Sequence, residues 1–339
     1  MSAVLASIPS PPTGVYHVGP LTIHMYGVVL LLAIAAAVWL TGIRWVRWGG
    51  DWDLVYRVSI WGVIAGIVGA RLYHDITSWN QDPAIHDHWY GPIAVWQGGL
   101  GIWGAIPFGV LAGAWVVRRS GNSIRLFMDA VAPGLLLAQG IGRWGNWWNQ
   151  ELYGKHTTLP WALEIHGKGA ANTYHPTFLY EFLWDILGVA VLLLVDRRFK
   201  LRRPALFALY VVWYTAFRMY EETLRIDPSS HLAGMRVNFW VSLACFIASL
   251  AFFGWWQFLR RGGIMDRVRV GFLGVKPAYQ HTGVAAKLYL EHFKAAAERP
   301  QTGGEMGWIL ETNTPMNRAM EAMGGRVVKR YRVYERELA

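Results

Sequence analysis

Gly142-Arg143-Trp144-Gly145-Asn146-Trp147-Trp148-Asn149-Gln150-Glu151-Leu152-Tyr153-Gly154 closes a long apolar run, Ala130 to Ile141. The block sets an arginine, amides and a carboxylate where a membrane helix should be finishing. An arginine near the centre of a bilayer costs about 2.5–3.5 kcal/mol on insertion scales, so such a residue faces a cavity and works there. Arg143 and Asn146 lie three apart, on one helical face. Gly142 and Gly145 let a lipid head group or a neighbouring backbone come close, and Asn149 and Glu151 extend the polar surface outward. The structural alternative is an Arg143 paired with Glu151.

The rest of the chain sets this block in a membrane. Of 339 residues 54% are hydrophobic and only 16% charged, against about 25% charged in a soluble protein. Seven runs approach or exceed the roughly 20 residues that span a bilayer: 21–43, 55–73, 93–117, 126–147, 175–195, 205–225 and 237–259. The loops between them alternate in character. Arg44 and Arg47, then Arg118, Arg119 and Arg125, then Arg197, Arg198, Lys200, Arg202 and Arg203, then Arg260 and Arg261 fall on one side. The opposite loops, 74–92, 148–174 and 226–236, hold few cations and more His, Asp, Asn and Gly. The positive-inside rule therefore places the N-terminus outside and the residues after 260 in the cytoplasm. The net charge of +10 belongs to these short loops and argues for a membrane surface, with no nucleic-acid partner. Met1 to Pro20 lacks a basic n-region and does not read as a cleaved signal peptide. The single cysteine, Cys245, lies in an apolar run and reads as packing.

Residues 1–261 thus predict an all-α integral membrane protein of about seven transmembrane helices with a small extracytoplasmic head. Residues 262–339 change to a soluble composition and predict a small cytoplasmic α/β appendage. Val268 to Val275 alternates like a strand, Val284 to Glu298 is helix-like, Glu305 to Glu311 strand-like, Asn317 to Met323 helical and Arg326 to Tyr334 a strand.

Three further polar clusters sit in or beside the spans. Tyr214, Arg218, Glu222 and Arg225, spaced four, four and three, form one helical stripe whose charges can also pair structurally. Ile23-His24-Met25-Tyr26-Gly27 opens the first span, and His24 or Tyr26 there can equally be simple helix contacts. In His175-Pro176-Thr177-Phe178-Leu179-Tyr180-Glu181, Pro176 suits a first helical turn and exposes His175 at the outer interface. Arginines, amides and tyrosines converging near one leaflet suit an anionic lipid head group, because Arg binds phosphate bidentately and keeps its charge when poorly solvated. No metal-ligand spacing is visible, and there is no Gly-x-Ser-x-Gly and no P-loop, so acyl hydrolysis and ATP-driven transport have little support.

The Gly142–Gly154 block, His24-x-Tyr26-Gly27, Gly69-x-Arg71, Gly98-Gly99, His175-Pro176 and Tyr214-x-x-Phe217-Arg218 with Glu222 resemble, in order, the prolipoprotein diacylglyceryl transferases over about residues 15–260. The resemblance implies transfer of a diacylglyceryl group from phosphatidylglycerol to the lipobox cysteine of a preprolipoprotein signal peptide. The product is a thioether, glycerol phosphate leaves, and no cofactor is needed. It implies catalytic roles for Tyr26, Arg143, Asn146, Glu151, Arg218 and Glu222. It implies substrate contacts from His24, Asn149, Gly154, His175, Tyr214, Arg225 and Trp103. Trp103 stands where familiar members carry a histidine proposed as general base, so either the base is Glu222, Glu151, His24 or the lipid phosphate, or that histidine is dispensable. A single chain in the bacterial inner membrane is expected to suffice. A non-catalytic lipid transporter is the rival reading, but no internal repeat or matched broken helices support it.

The tail resembles a different family. Gly271-Phe272-Leu273-Gly274-Val275 and Gln280-x-x-Gly283-x-Ala285 look like the second half of a GNAT acetyltransferase, in which such a loop holds the coenzyme A pyrophosphate at a helix N-terminus. The opening half of that fold is missing, so the tail is expected to be a remnant without acetyl transfer.

Overall fold

The computed structural model describes residues 7–80, 82–85, 88–167 and 172–259, with 267–270, 303–306 and the single residues Lys287, Arg318 and Glu321. The chain divides into two compact units, Met1–Gly262 and Gly263–Ala339.

The first unit is a helical bundle of α1 (Met25–Arg47), α2 (Trp52–Ser78), α3 (Ile102–Arg119), α4 (Ile124–Asn149), α5 (Thr177–Arg198), α6 (Ala205–Leu224) and α7 (Val237–Gly254). The starts are written locally. Asp51 caps α2 by accepting from the Leu54 N–H at 2.7 Å, and Ser123 does the same for α4. The ends of α1, α3 and α5 carry Arg44/Arg47, Arg118/Arg119 and Arg197/Arg198, where cations complement the helix dipole.

Among the described residues, five helical segments are long and apolar enough to cross a membrane: Met25–Arg47, Trp52–Ser78, Ile124–Asn149, Thr177–Arg198 and Val237–Leu259. α3 and α6 fall short because α3 ends in two arginines and α6 carries Arg218, Glu221 and Glu222. The run 93–117 differs from expectation at its start. Gly98 (φ 91°) and Gly99 (φ 65°) break the chain before α3 begins at Ile102. Arg71 fixes this loop, donating to the carbonyls of Pro92 (3.0 Å), Gly98 (2.8 Å) and Gly91 while pairing with Asp75.

The polarity of the bundle is inverted relative to a water-soluble protein. Large apolar side chains face outward, Leu31, Ile76, Leu111 and Phe258 among them, while Asp129, Glu181, Asp185 and Glu222 are buried. Such a surface fits a lipid environment, in which apolar exposure costs nothing and polar groups must be satisfied inside. Cys245 belongs to the outward surface: it is exposed on α7 and is not the packing residue the sequence suggests. Contacts between helices rely on small residues. A side chain at Gly104 would lie 2.0 Å from the Gly69 carbonyl oxygen, so α2 and α3 touch backbone to backbone.

α4 is the centre, packing on α1, α5 and α6. At the arginine-rich end, Arg203 pairs with Asp129 and Asp196, and Arg44 with Asp196, which ties α1, α4 and α5 to the start of α6. At the other end three short antiparallel hairpins form a small head: β1 (Val15–Val18) with β2 (Leu21–His24), β3 (Leu163–Glu164) with β4 (Thr173–Tyr174), and β5 (His231–Leu232) with β6 (Met235–Arg236). The N-terminal segment straps across this end, with Ile8 bridged to Leu163 and Pro9 and Pro11 carbonyls bound by Trp147 and Gln150.

In the second unit β7 (Arg267–Val270) pairs in parallel with β8 (Gly303–Met306), Arg267 opposite Gly303. The second strand thus begins ahead of the expected Glu305. Lys287, Arg318 and Glu321 are helical and exposed. The loop residues Gln280, Gly283 and Ala285, and most of the remaining tail, lie outside the described residues.

Candidate functional site

The site is built where α4, α5 and α6 meet below the head. Arg143, in the last two turns of α4, points across to α5, and its Nη2 lies 2.6 Å from Glu181 Oε1. The second oxygen of Glu181 stands 3.9 Å from Arg218 Nη1 on α6. Arg218 also pairs with Glu221 and Glu222 of its own helix. Glu222 is shared further, with Arg236 at the end of β6 and, at 3.8 Å, with Arg225. Arg225 and Arg236 both close on Asp227 at 2.7 Å. Burial of Asp227 opposes its ionisation, but the two guanidinium groups outweigh that and hold its carboxyl below the usual carboxylate range.

Exposure sorts these charges by depth. The side chains of Glu181, Glu221 and Glu222 are 0–2% exposed, whereas Arg143 and Arg218 are 18% and 13% exposed. The accessible face of the cluster is therefore cationic, with its carboxylates behind. A guanidinium edge of this kind donates to a pair of phosphate oxygens.

A second chain of contacts runs from Arg143 toward the head. Asn146, buried, takes a long 3.5 Å contact from Arg143 Nη1 on its oxygen and donates its amide to Glu151 at 3.0 Å. Asn149 donates to the same carboxylate oxygen at 3.4 Å. The expected alternative, an Arg143–Glu151 pair, is not what forms: Arg143 pairs with Glu181, and Glu151 is held by amides. Tyr26 lies against the backbone of Gly145, where a side chain would come within 2.6 Å of its ring, and Gly142 faces open space.

The remaining sequence candidates arrange around this core. Gly154 donates to the His175 carbonyl at 2.9 Å and bridges to Arg225, and a side chain there would meet His175 Cβ at 2.7 Å. His175 Nδ1 contacts the Tyr180 hydroxyl at 3.2 Å. Burial and then the nearby Lys155 charge lower the His175 pKa, which favours the neutral ring. Pro176 occupies the position just before α5, one residue outside the first turn expected for it. Tyr214 sits one turn before Arg218 and packs against the Leu136–Leu206 cluster. His24 ends β2 and precedes α1. Trp103 is placed elsewhere, half-exposed on α3 in a pocket of about 300 Å³ with Ser229, Ser230, Val237 and Asn238. No cluster of three or more metal-ligating side chains occurs among the described residues.

Glu181, Glu221, Asp227 and Arg236 are the members that sequence reasoning leaves out. Glu181 stands inside the quoted His175–Glu181 motif, and a carboxylate four residues into a membrane span was the available signal. Glu221, Asp227 and Arg236 gave none: Glu221 pairs back to Arg218 one turn earlier, and Arg236, on the β5–β6 hairpin, reaches Glu222 on α6 and Asp227 in the loop after it.

This fold and site define a polytopic membrane protein whose buried polar centre keeps two arginines partly exposed near the head end. The family model for prolipoprotein diacylglyceryl transferase matches residues 13–255, and the chain belongs to that family. Similar proteins named phosphatidylglycerol–prolipoprotein diacylglyceryl transferase occur in Frankia alni, 51% identical over 70% of this chain, and Streptomyces griseus, 48% over 73%. Another, from Mycobacteroides abscessus, is 43% identical over 73% of the chain. The matched segment spans 64% of the Frankia relative's length and 77% and 78% of the other two.

Proposed function

We infer that this chain is a transferase moving the diacylglyceryl group of phosphatidylglycerol to the lipobox cysteine thiol of a prolipoprotein. The paired, outward-facing guanidinium groups of Arg143 and Arg218 carry this reading, together with family membership. The sulfur forms a bond to the glycerol carbon that bears the phosphate. That carbon's bond to the phosphate oxygen breaks, and the electron pair leaves with glycerol phosphate. Negative charge gathers on the leaving phosphate, and cations already aimed at it in a water-poor site lower the barrier without reorganising. Arg143 and Arg218 take that role. Glu181, between them, fixes their spacing while the site is empty.

Asn146 organises the head-ward side of the lipid phosphate and, with Asn149, holds Glu151 beside it, while Tyr26 closes the face over Gly145. Glu222 and Arg225 brace Arg218, while Gly154, His175, Tyr214, His24 and Trp103 border the lipid and peptide. The chain acts as a monomer in the bacterial inner membrane. It has seven spans, the five apolar helices plus α3 and α6, with the head outside and the C-terminus cytoplasmic. Residues 1–261 carry the reaction and 262–339 are an appendage without a part in it.

The test is a transfer reaction with purified full-length protein, labelled phosphatidylglycerol and a lipobox peptide, set beside the same peptide with Ser in place of Cys. Labelling of the Cys peptide alone, with one glycerol phosphate released per thioether, is expected. Equal labelling of the Ser peptide, or lipid binding with no transfer, contradicts the reading.

A further inference from the structure

The transfer reading leaves one proton unaccounted for: the thiolate is the nucleophile, and a free thiol has a pKa near about 8.5. The acidic groups of the site are not equally free to take it. Glu181, Glu221 and Glu222 are almost wholly buried, and each is engaged by a guanidinium: Arg143, Arg218, and Arg218 with Arg236 respectively. To take the thiol proton, any of them would have to give up its charge and with it the pairing that holds a guanidinium in place.

Glu151 is built differently. It is exposed, at the head end of α4. One of its oxygens receives the amides of Asn146 and Asn149, and among the described residues it forms no ion pair. Asn146 also touches Arg143, so Glu151 stands one side chain away from the phosphate-binding arginine.

The backbone spends effort on this placement. Gln150 (φ 51°) and Leu152 (φ 58°), the residues on either side, both adopt the left-handed conformation without being glycine. Such backbone gathers where a structure over-determines a functional side chain. Here Gln150 is pinned by the Pro11 carbonyl and the His166 N–H, and the Glu151 N–H donates to the Asn146 carbonyl. The turn folds Glu151 back toward the face that holds Arg143.

The geometry points to Glu151 as the general base for the incoming cysteine, with Asn146 positioning it. The thiol proton passes to the free carboxylate oxygen as the sulfur–carbon bond forms and the carbon–oxygen bond to phosphate breaks. The protonated Glu151 then gives its proton to the departing phosphate or to water, which restores the site. This assignment rests on the transfer reading and names the group that the substitution of Trp103 left open.

Glu151→Gln is the discriminating variant, because its amide oxygen still accepts from Asn146 and Asn149. Turnover with phosphatidylglycerol and a Cys lipobox peptide is measured from pH 6 to 9.5 beside wild type, with thermal unfolding of both proteins. The variant is expected to fold normally, to keep its KM for lipid and to lose about 10²- to 10⁴-fold in kcat at neutral pH. Its rate should climb about tenfold per pH unit as the substrate thiol ionises by itself, narrowing the gap to wild type. Glu151→Asp should retain part of the rate. Neutral-pH turnover within threefold of wild type overturns the inference, and so does a deficit that is the same at pH 7 and pH 9. A wild type that forms no thioether overturns the transfer reading and this inference with it, whereas an active wild type with an unaffected variant overturns this inference alone.

Discussion

Arg143 Nη2 and Glu181 Oε1 meet at 2.6 Å across the α4–α5 contact, and that carboxylate also faces Arg218 at 3.9 Å. One buried acid thus sets the separation of two cations from different helices. Removing one partner of such a buried pair typically costs about 3–5 kcal/mol, because the other charge is left without compensation. Glu181→Leu should therefore lower the thermal stability markedly, while Glu181→Gln, which keeps a hydrogen-bond acceptor, should fold and lose at least tenfold in transfer. Unfolding scans in detergent together with turnover check this, and unchanged values for both variants would contradict the spacing role.

Arg236 acts through Glu222. It holds the acid that pairs with Arg218, and it does so from β6, fourteen residues further along the chain. Arg236→Ala should reduce kcat about 10- to 100-fold by leaving both Glu222 oxygens to Arg218, with a smaller change in KM. Kinetics that match wild type would remove Arg236 from the account.

Asp227 gives a pH dependence with a defined sign. Its folded-state pKa is lowered, since Arg225 and Arg236 outweigh the effect of burial. The stability it contributes is therefore present above the unfolded carboxyl value of about 3.9 and is lost as pH falls through the lower folded value. Asp227→Asn should melt earlier than wild type at pH 7, and the two curves should converge as pH falls below the lowered folded value. A difference that persists in acid would show that packing, not charge, is responsible.

Gly104 reports on the α2–α3 contact. A Cβ there would lie 2.0 Å from a backbone oxygen that cannot move aside. Gly104→Val should leave little folded protein in the membrane, whereas Gly142→Ala, placed in open space, should fold normally. Normal yield of Gly104→Val would mean that the helices are not in backbone contact.

Truncation after Arg261 tests the division of labour. The truncated protein should insert and turn over as the full chain does. Loss of turnover in well-inserted truncated protein would assign the tail a part in the reaction.

Much of this was legible in the sequence, and the reason is physical. The apolar runs and arginine-bearing loops fixed the positions of the helices, because a membrane helix must be both long and apolar. The α3 boundary was less legible. Gly98 and Gly99 lie inside an apolar stretch, and only the Arg71 contacts show that the stretch folds back as a loop. Arg143, Arg218 and Glu222 stood out because charge inside a span is costly. Glu181 is masked by its neighbours His175 and Pro176 in the same motif, and Arg236 by lying on β6 while its partner lies on α6. Partner choice was the hidden quantity: Arg143 could reach Glu151 by sequence distance, yet the α4–α5 packing brings Glu181 closer.

The most direct measurement is turnover of the purified full chain on phosphatidylglycerol and a lipobox peptide, with wild type beside Arg143→Ala at equal inserted amounts. Stoichiometric thioether and glycerol phosphate from wild type, with none above background from the variant, is the predicted result. Turnover of Arg143→Ala at the wild-type rate would contradict the claim that this arginine holds the leaving phosphate.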